Sequence, residues 1–392
     1  MPTVEQPSAR RFRSRQRLLD IIRRESGVTR ADLSLMTGLS RSAIAEAVQD
    51  LLNDHLVAED VLEPGGKGAG RGRPSALLVA TPPRGVVVGV DFGHDHVGVA
   101  VADTEGTVLA EQTSAVNVDG QGRAALDAAA GMASRLLSQL GLGRDQVLSV
   151  AAGIPAPLDV QSNRIRAVSI MPGWTRLNPA DELSGLFGRR VITFNDAELG
   201  AQGEMRFGAA RGLRDFVYIK ASEGIGASLV LNGSVYRGSL GLSGEIGHTR
   251  LSDQSQGLWC RCGNRGCLET VVSSVLVAER MREVGLVAAD EIFPLAAAGA
   301  DPVTSAIVTE AGRTLGRVLA DLCNWLNPAG VVLGGALGSA GQPFVDGVRE
   351  SINRYAHPSA AEAVEVKTAQ LGLRSELLGA VAVACHEALY VG

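Results

Sequence analysis

No stretch of this 392-residue chain stays apolar for the roughly 18 residues that a membrane-spanning helix needs, which excludes a helical membrane protein. An apolar core is also missing from Met1–Arg17, where an arginine cluster stands alone; a secretory signal peptide is excluded there and a cytoplasmic location is expected. Cysteine is scarce and odd in number: of five residues, three crowd at Cys260, Cys262 and Cys267, which in a cytosolic chain points to metal rather than disulfide. A strong excess of one charge is lacking too, the net value being −5, but the balance is uneven. Residues 1–84 carry thirteen Arg and Lys against ten Asp and Glu, and the remainder twenty-four against thirty-two, so only the front of the chain is basic. With 45% hydrophobic and 20% charged residues, the chain has the composition of a folded protein of two or three domains.

In the front part, Arg15–Glu25 places Leu18, Ile21 and Ile22 at helical spacing, and residues 1–14 read as an unstructured arm. Gly27 breaks the pattern, Thr29 caps a second helix carrying Leu33 and Met36, and Gly38 ends it. Ser40 caps a third helix whose inner stripe is Ile44, Val48, Leu51 and Leu52, leaving Arg41, Ser42, Ala45, Glu46 and Gln49 outside. In a helix-turn-helix the start of the last helix enters the major groove, so Ser40, Arg41, Ser42 and Gln49 are candidate DNA contacts, Arg41 foremost.

An apolar strand (Leu56–Val61), a glycine-rich tip and a second strand (Ala76–Ala80) then predict a β-hairpin wing. In the tip, GGKGAGRGRPS, glycines let the backbone lie close to a groove, while Lys67, Arg71 and Arg73 supply charge suited to a narrow minor groove. A trihelical packing module followed by a flexible linker would share the helix pattern. The capping serine, the hairpin and the arginines together favour a winged helix-turn-helix over residues 1–84.

From Gly85 the pattern changes. Val86–Thr113 reads as three strands separated by glycine turns, and Asp215–Gly238 repeats that order, which predicts two related α/β halves with a cleft between them. After the second repeat lies the metal motif. Cys-x-Cys-x4-Cys puts three thiolates on one loop whose Gly263 and Gly266 permit the turn, and His248, twelve positions upstream, can complete a tetrahedron. Three soft thiolates and an imidazole suit Zn²⁺, and four protein ligands make a closed, structural site; three buried reduced cysteines without metal are the plain alternative.

GEIGH (Gly244–His248) followed by CRCGNRGCLE (Cys260–Glu269), with MPGW (Met171–Trp174) and NDAELGAQGE (Asn195–Glu204), resembles the ROK family of repressors and sugar kinases over nearly the whole chain. The resemblance implies an actin-like (ribonuclease H-like) two-lobed sugar-kinase fold, with a first lobe over 85–196 and a second over 197–392 whose C-terminal helix returns to the first. A winged helix-turn-helix ahead of such a body is similar to the repressor branch. It implies a DNA-binding repressor of carbohydrate-metabolism genes, acting as a homodimer or homotetramer on operator DNA, with a sugar as effector.

By the same resemblance the sugar site comprises Asn195, Asp196, Glu245, His248 and Glu269, shaped by GIPAPLD (Gly153–Asp159) and MPGW; Trp174 fits a pocket wall or a core equally well. Such a set suits a polyol, whose hydroxyls donate to carboxylates and accept from an amide or imidazole. Any one of these acids alone would more readily be a solvated or salt-bridged side chain. If one ring nitrogen of His248 binds zinc, the other can face the sugar.

In kinases of this fold an aspartate at the position of Asp196 is the general base, and two glycine-rich hairpins hold the nucleotide phosphates. Here the hairpins depart from the kinase pattern, reading Asp91-Phe92-Gly93-His94-Asp95 and Ser222-Glu223-Gly224, with Asp95 and Glu223 set to repel phosphate. At about 4 Å and an effective dielectric near 20, each such pair costs roughly 4 kcal/mol, less where the side chain turns to solvent. Gly334 and Gly335 resemble an adenosine-side loop, though a glycine pair after a buried strand is also an ordinary turn. The expectation is a sensor without phosphoryl transfer; the alternative is an ATP-dependent sugar kinase with an added DNA-binding domain.

Overall fold

The computed structural model describes residues 9–25, 27–54, 56–60, 76–81, 83–166, 169–251, 257–286 and 301–389. The chain separates into two compact units, one up to Arg84 and one from Gly85.

The first unit holds α1 (Ala9–Arg24), α2 (Arg30–Thr37), α3 (Arg41–Asn53) and the antiparallel pair β1 (Val57–Asp60) and β2 (Leu77–Ala80). Helix α1 starts at Ala9, so residues 9–14 are helical and not an arm. Thr29 and Asp32 form a reciprocal capping box on α2, and Gly38 leaves it at φ 71°. Ser40 Oγ accepts from the Ala43 N–H at the start of α3. Leu18, Ile22, Leu33, Ile44, Val48, Leu51, Val57 and Leu78 fill one core. Met36, expected inside, is half exposed, because α2 is short and buries only Leu33. The wing tip, with Lys67, Arg71 and Arg73, lies outside the described residues.

The second unit begins with β3 (Val86–Phe92), β4 (His96–Asp103), β5 (Val108–Ala115), α4 (Gly122–Gln139), β6 (Val147–Ile154), α5 (Pro179–Phe187), β7 (Val191–Asn195) and α6 (Asp196–Phe207). It continues with β8 (Phe216–Ala221), β9 (Ile225–Leu231), β10 (Ser234–Tyr236), α7 (Ser274–Glu283), α8 (Pro302–Leu326), β11 (Gly330–Gly334), α9 (Gly335–Gly338), α10 (Gln342–Tyr355), α11 (Pro358–Ala363), β12 (Glu365–Thr368) and α12 (Ser375–Ala388).

The two five-stranded sheets have matching orders, β5-β4-β3-β6-β7 and β10-β9-β8-β11-β12. In each, a three-stranded antiparallel meander is extended by two parallel strands. Helices α4 and α5 cover one face of the first sheet, and α12 with Leu199 of α6 covers the other. Ala197 and Ala201 of α6 pack on the second sheet beside Phe216 and Tyr218, while α7, α8 and α10 cover its far face. The sheets are therefore separated by α6 and α12, each short-chained enough to allow close approach: a methyl on Gly379 would meet the Leu199 carbonyl oxygen at 1.8 Å. Trp174 is core, 1% exposed, with its Nε1 donating to the Val118 carbonyl and its ring edge-on to Phe92. Among the described residues no helix is long and apolar enough to cross a membrane.

Candidate functional site

In an open α/β sheet, ligands collect beyond the carboxyl ends of the parallel strands, where backbone and side chains emerge without ladder partners. The cleft of this body follows that rule. About 740 Å³ in volume, it is lined by Gly93–His96 after β3, Pro155–Pro157 after β6, Asn195 and Asp196 at the end of β7, Ser222–Gly226 after β8, and Ala336 after β11. Glu245, His248, Arg261 and Glu269 close it from the loops that follow β10. All five residues named as sugar ligands thus face one cavity.

Asn195 and Asp196 are placed by the start of α6. Asn195 Oδ1 accepts from the Ala197 N–H at 2.9 Å, and Glu198 Oε2 accepts from the Asn195 N–H, a reciprocal box that Arg237 secures by holding both oxygens of Glu198. Asp196 is 8% exposed; its Oδ1 accepts from the Ala197 N–H at 2.8 Å, and its Oδ2 accepts from the Lys220 ammonium at 2.7 Å. Sequence reasoning passed over Lys220. The available signal was a single charged residue inside the otherwise apolar strand FVYIKA.

Glu245 and His248 sit on a short turn pressed against β9. At Gly244 φ is 91°, and a methyl there would lie 1.9 Å from the Ala227 carbonyl oxygen, so the GEIGH motif needs glycine to lie this close. Burial pushes the Glu245 carboxyl up to about 7, with the negative charges of Asp196 and Glu269 adding to the shift.

The ligand atoms of His248, Cys260, Cys262 and Cys267 lie within 4.8 Å of one another. Cys262 Sγ is 3.8 Å from Cys267 Sγ, and Cys260 Sγ is 3.5 Å from His248 Nδ1. Tetrahedral zinc with bonds near 2.3 Å sets its sulfurs about 3.8 Å apart, so the four residues fit a structural zinc ion. Gly263, at φ 91°, turns the loop between Cys262 and Cys267. With Nδ1 toward the sulfurs, His248 Nε2 faces Glu245 Oε2 at 3.6 Å on the cleft side.

The first phosphate hairpin differs from what its sequence suggests. Asp95 Oδ1 is 2.8 Å from His96 Nδ1, and His96 Nε2 is 3.4 Å from Asp91 Oδ2. Hydrogen bonding to Asp91, with Asp91 and Asp95 charges adding, raises the His96 pKa to about 9 against the opposing effect of burial. Asp95 is therefore matched by an imidazolium, and both it and Glu223 are exposed, so the repulsion expected of them is largely screened. The imidazole lies directly against Gly93, where a methyl would meet its ring at 2.2 Å. Gly334 and Gly335 form the turn from β11 into α9, where Ser222 Oγ accepts from the Ala336 N–H.

In the first unit, Arg41, Ser42, Ala45, Glu46 and Gln49 lie on the exposed side of α3. Ser40 Oγ is engaged by the cap and by Ser42 Oγ at 3.1 Å, and Gln49 Nε2 donates to Asn53 Oδ1. Arg41 and Ser42 project at the helix start, where a groove-reading side chain is required.

The ROK family model matches residues 87–387, and a winged helix-turn-helix DNA-binding model matches residues 11–58. The chain is 27% identical to a xylose repressor of Bacillus spizizenii over 364 residues, 92% of each protein. Among solved structures, a ROK family transcriptional regulator described as a homologue of the Escherichia coli Mlc protein superposes with a TM-score of 0.77 at 24% identity, covering 97% of this chain and 96% of that one. A ROK family glucokinase from Streptomyces griseus, in complex with glucose and AMPPNP, superposes with a TM-score of 0.68 at 27% identity, covering 76% of this chain and 99% of the kinase.

Proposed function

The chain belongs to the ROK family, and on that premise we propose that it is a DNA-binding transcriptional repressor of carbohydrate-metabolism genes whose operator binding responds to a sugar held in the body's cleft without phosphoryl transfer. Residues 1–84 bind operator DNA through Ser40, Arg41, Ser42 and Gln49 on α3 and through the wing arginines Arg71 and Arg73. The lobes over 85–196 and 197–392 bind the sugar through Asn195, Asp196, Glu245, His248 and Glu269. Zinc held by His248, Cys260, Cys262 and Cys267 would be structural, fixing the loop that ends in Glu269. Two-fold operators and paired half-sites favour a homodimer or homotetramer. The xylose repressor similarity, which runs through both units, supports this division.

The observation that carries the loss of phosphoryl transfer is the Lys220–Asp196 pair. A kinase base must take a proton from the sugar hydroxyl. Here both oxygens of that carboxylate already accept, one from a backbone N–H and the other from an ammonium that would oppose the transfer. What remains is a set of hydroxyl acceptors and donors fit for binding. Sugar-driven closure of the lobes would then change the affinity for DNA, and linkage requires DNA to change sugar affinity by the same factor.

The second reading, an ATP-dependent sugar kinase carrying a DNA-binding domain, draws on the presence of Asp196 in the cleft and on the glucokinase similarity. One experiment separates the two. Fluorescence-polarisation titration against candidate operators at fixed salt, with a panel of neutral and phosphorylated sugars and with ATP added separately, should give specific binding that one sugar shifts without ATP. Sugar-dependent ATP consumption without specific DNA binding would establish the kinase.

A further inference from the structure

The proposed sugar ligands reach the cleft from separate pieces of chain. Asn195 and Asp196 stand where β7 becomes α6, and Glu245 and His248 lie on the turn that follows β10. Arg237, one residue past β10, touches both pieces. Its Nε donates to Glu198 Oε1 at 2.8 Å and to Oε2 at 3.0 Å, and its Nη2 donates to Oε2 at 2.7 Å. Glu198 Oε2 in turn accepts from the Asn195 N–H at 3.3 Å. The same guanidinium lies over the ring of Phe194, the residue before Asn195, at 4.7 Å from its centroid. On the other side, the Arg237 carbonyl accepts from the Ser243 N–H at 3.3 Å, closing the loop that delivers Gly244 and Glu245. That loop also meets the first lobe, since a methyl on Gly241 would lie 2.1 Å from the Leu158 carbonyl oxygen.

Glu198 is 6% exposed, and a carboxylate so buried must be paired and hydrogen-bonded to stay where it is. A guanidinium answers that need with a rigid fork for the two oxygens and a flat face for the Phe194 ring, whereas an ammonium is a point charge on a flexible stem and fixes neither geometry. We infer that Arg237 is a positioning residue of the cleft: acting through Glu198, it sets Asn195 and Asp196 against the Glu245 turn, and so decides how sharply the site discriminates among sugar hydroxyls. Hydrogen bonds weaken steeply as their geometry is lost, so an analogue lacking a hydroxyl is rejected only where the groups meant for that hydroxyl are held in place. The inference rests on the proposed sugar binding of this cleft and adds the residue that gives it selectivity.

The full chain, its Asn195→Ala variant and its Arg237→Lys variant are titrated calorimetrically with the sugar that shifts operator binding and with its monodeoxy analogues. Asn195→Ala identifies the hydroxyl read at the start of α6, as the one whose removal no longer costs affinity. Arg237→Lys is expected to weaken binding of the parent sugar about three- to tenfold and to shrink the penalty for that same hydroxyl, leaving the penalties for the others in place. An even loss over all hydroxyls, no loss, or an Asn195→Ala variant that alters no penalty overturns the inference, because a role in stability alone does not select one hydroxyl. Should Arg237→Lys not fold, Glu198→Gln takes its place with the same expected pattern, since it keeps an acceptor for the Asn195 N–H and gives up the charge that Arg237 holds. A chain that binds none of the sugars sinks the proposed function by itself, and deuterium uptake of the sugar-free protein then decides the inference. Peptides covering residues 194–198 and 237–245 should exchange faster in Arg237→Lys than in the unsubstituted protein, with α4 and α10 unchanged; equal uptake overturns it.

Discussion

Arg261 Nη1 lies 3.4 Å from Asp119 Oδ2, joining the cysteine loop of the second lobe to the first lobe. Asp119 is itself anchored, with Oδ1 2.8 Å from His94 Nδ1 and its carbonyl accepting from the Gly173 N–H. Arg261 lines the cleft, so the pair is placed to hold the lobes together around a ligand. It is partly exposed, which limits its worth to about 0.5–1 kcal/mol. Arg261→Gln should weaken sugar affinity by about two- to fivefold in calorimetric titration, leaving zinc content unchanged. Equal affinity in both proteins would mean that the contact does not report closure.

The hydroxyl acceptors should matter more. Glu269→Gln removes a charged acceptor from a half-buried site, a loss of about 1.5–3 kcal/mol, or roughly ten- to hundredfold in sugar affinity, and Glu245→Gln should cost less near neutral pH because that carboxyl is already pushed up to about 7. Operator binding in the absence of sugar should be retained. Simultaneous loss of both activities would indicate unfolding and withdraw the assignment.

On the DNA side, Arg41→Ala should lower operator affinity and reduce the slope of log K against log salt by about one if the contact is to phosphate. Sugar affinity should not change. Unaltered operator binding at several salt concentrations removes Arg41 from the interface.

Zinc should be present at one ion per chain by elemental analysis of protein purified under reducing conditions. Its removal by chelation, or Cys262→Ser, should lower the Tm and weaken sugar binding, because the loop between Cys260 and Glu269 would lose its cross-link. A chain free of zinc with undiminished Tm would make the three thiols ordinary buried cysteines.

The His96 imidazolium predicts how stability varies with pH. Its native pKa, about 9, lies above the ordinary 6.5 because Asp91 and Asp95 face it. A raised value means that the native state holds the proton more tightly. The contribution is complete below about pH 6.5 and is lost as pH rises through about 9. Asp95 also feels His94, the other titratable group on this hairpin. Melting temperature should therefore fall between pH 7 and 9.5, and His96→Asn should flatten that slope; identical slopes would assign the dependence elsewhere.

Local chemistry is legible in the residues alone wherever a few neighbouring positions decide the outcome. Thr29 and Ser40 cap α2 and α3 because a hydroxyl one step before a helix meets its free N–H groups. Cys260, Cys262 and Cys267 converge with His248 because a short glycine-bearing loop leaves them little choice. The repeated strand order is likewise written in the residues, since alternation and glycine turns are short-range signals. The start of α1 at Ala9 and the exposure of Met36 are not legible in this way, for an arginine-rich run carries no apolar stripe and helical spacing does not say how far a short helix reaches over its core.

What tertiary structure alone decided is which charges meet. Lys220 reaches Asp196 across 24 positions, Arg261 reaches Asp119 across 142, and Tyr218 donates to Glu376 across 158. Side-chain type and spacing along the chain cannot specify such encounters: those of Lys220 and Tyr218 follow from the packing of α6 and α12 between two sheets, and that of Arg261 from the approach of loops of the two lobes. The sequence by itself determined the kinds of group available and the local frames that carry them. Only the folded cleft decided that an ammonium lies on the carboxylate a kinase would need free, since the energy of a charge depends on what surrounds it in space.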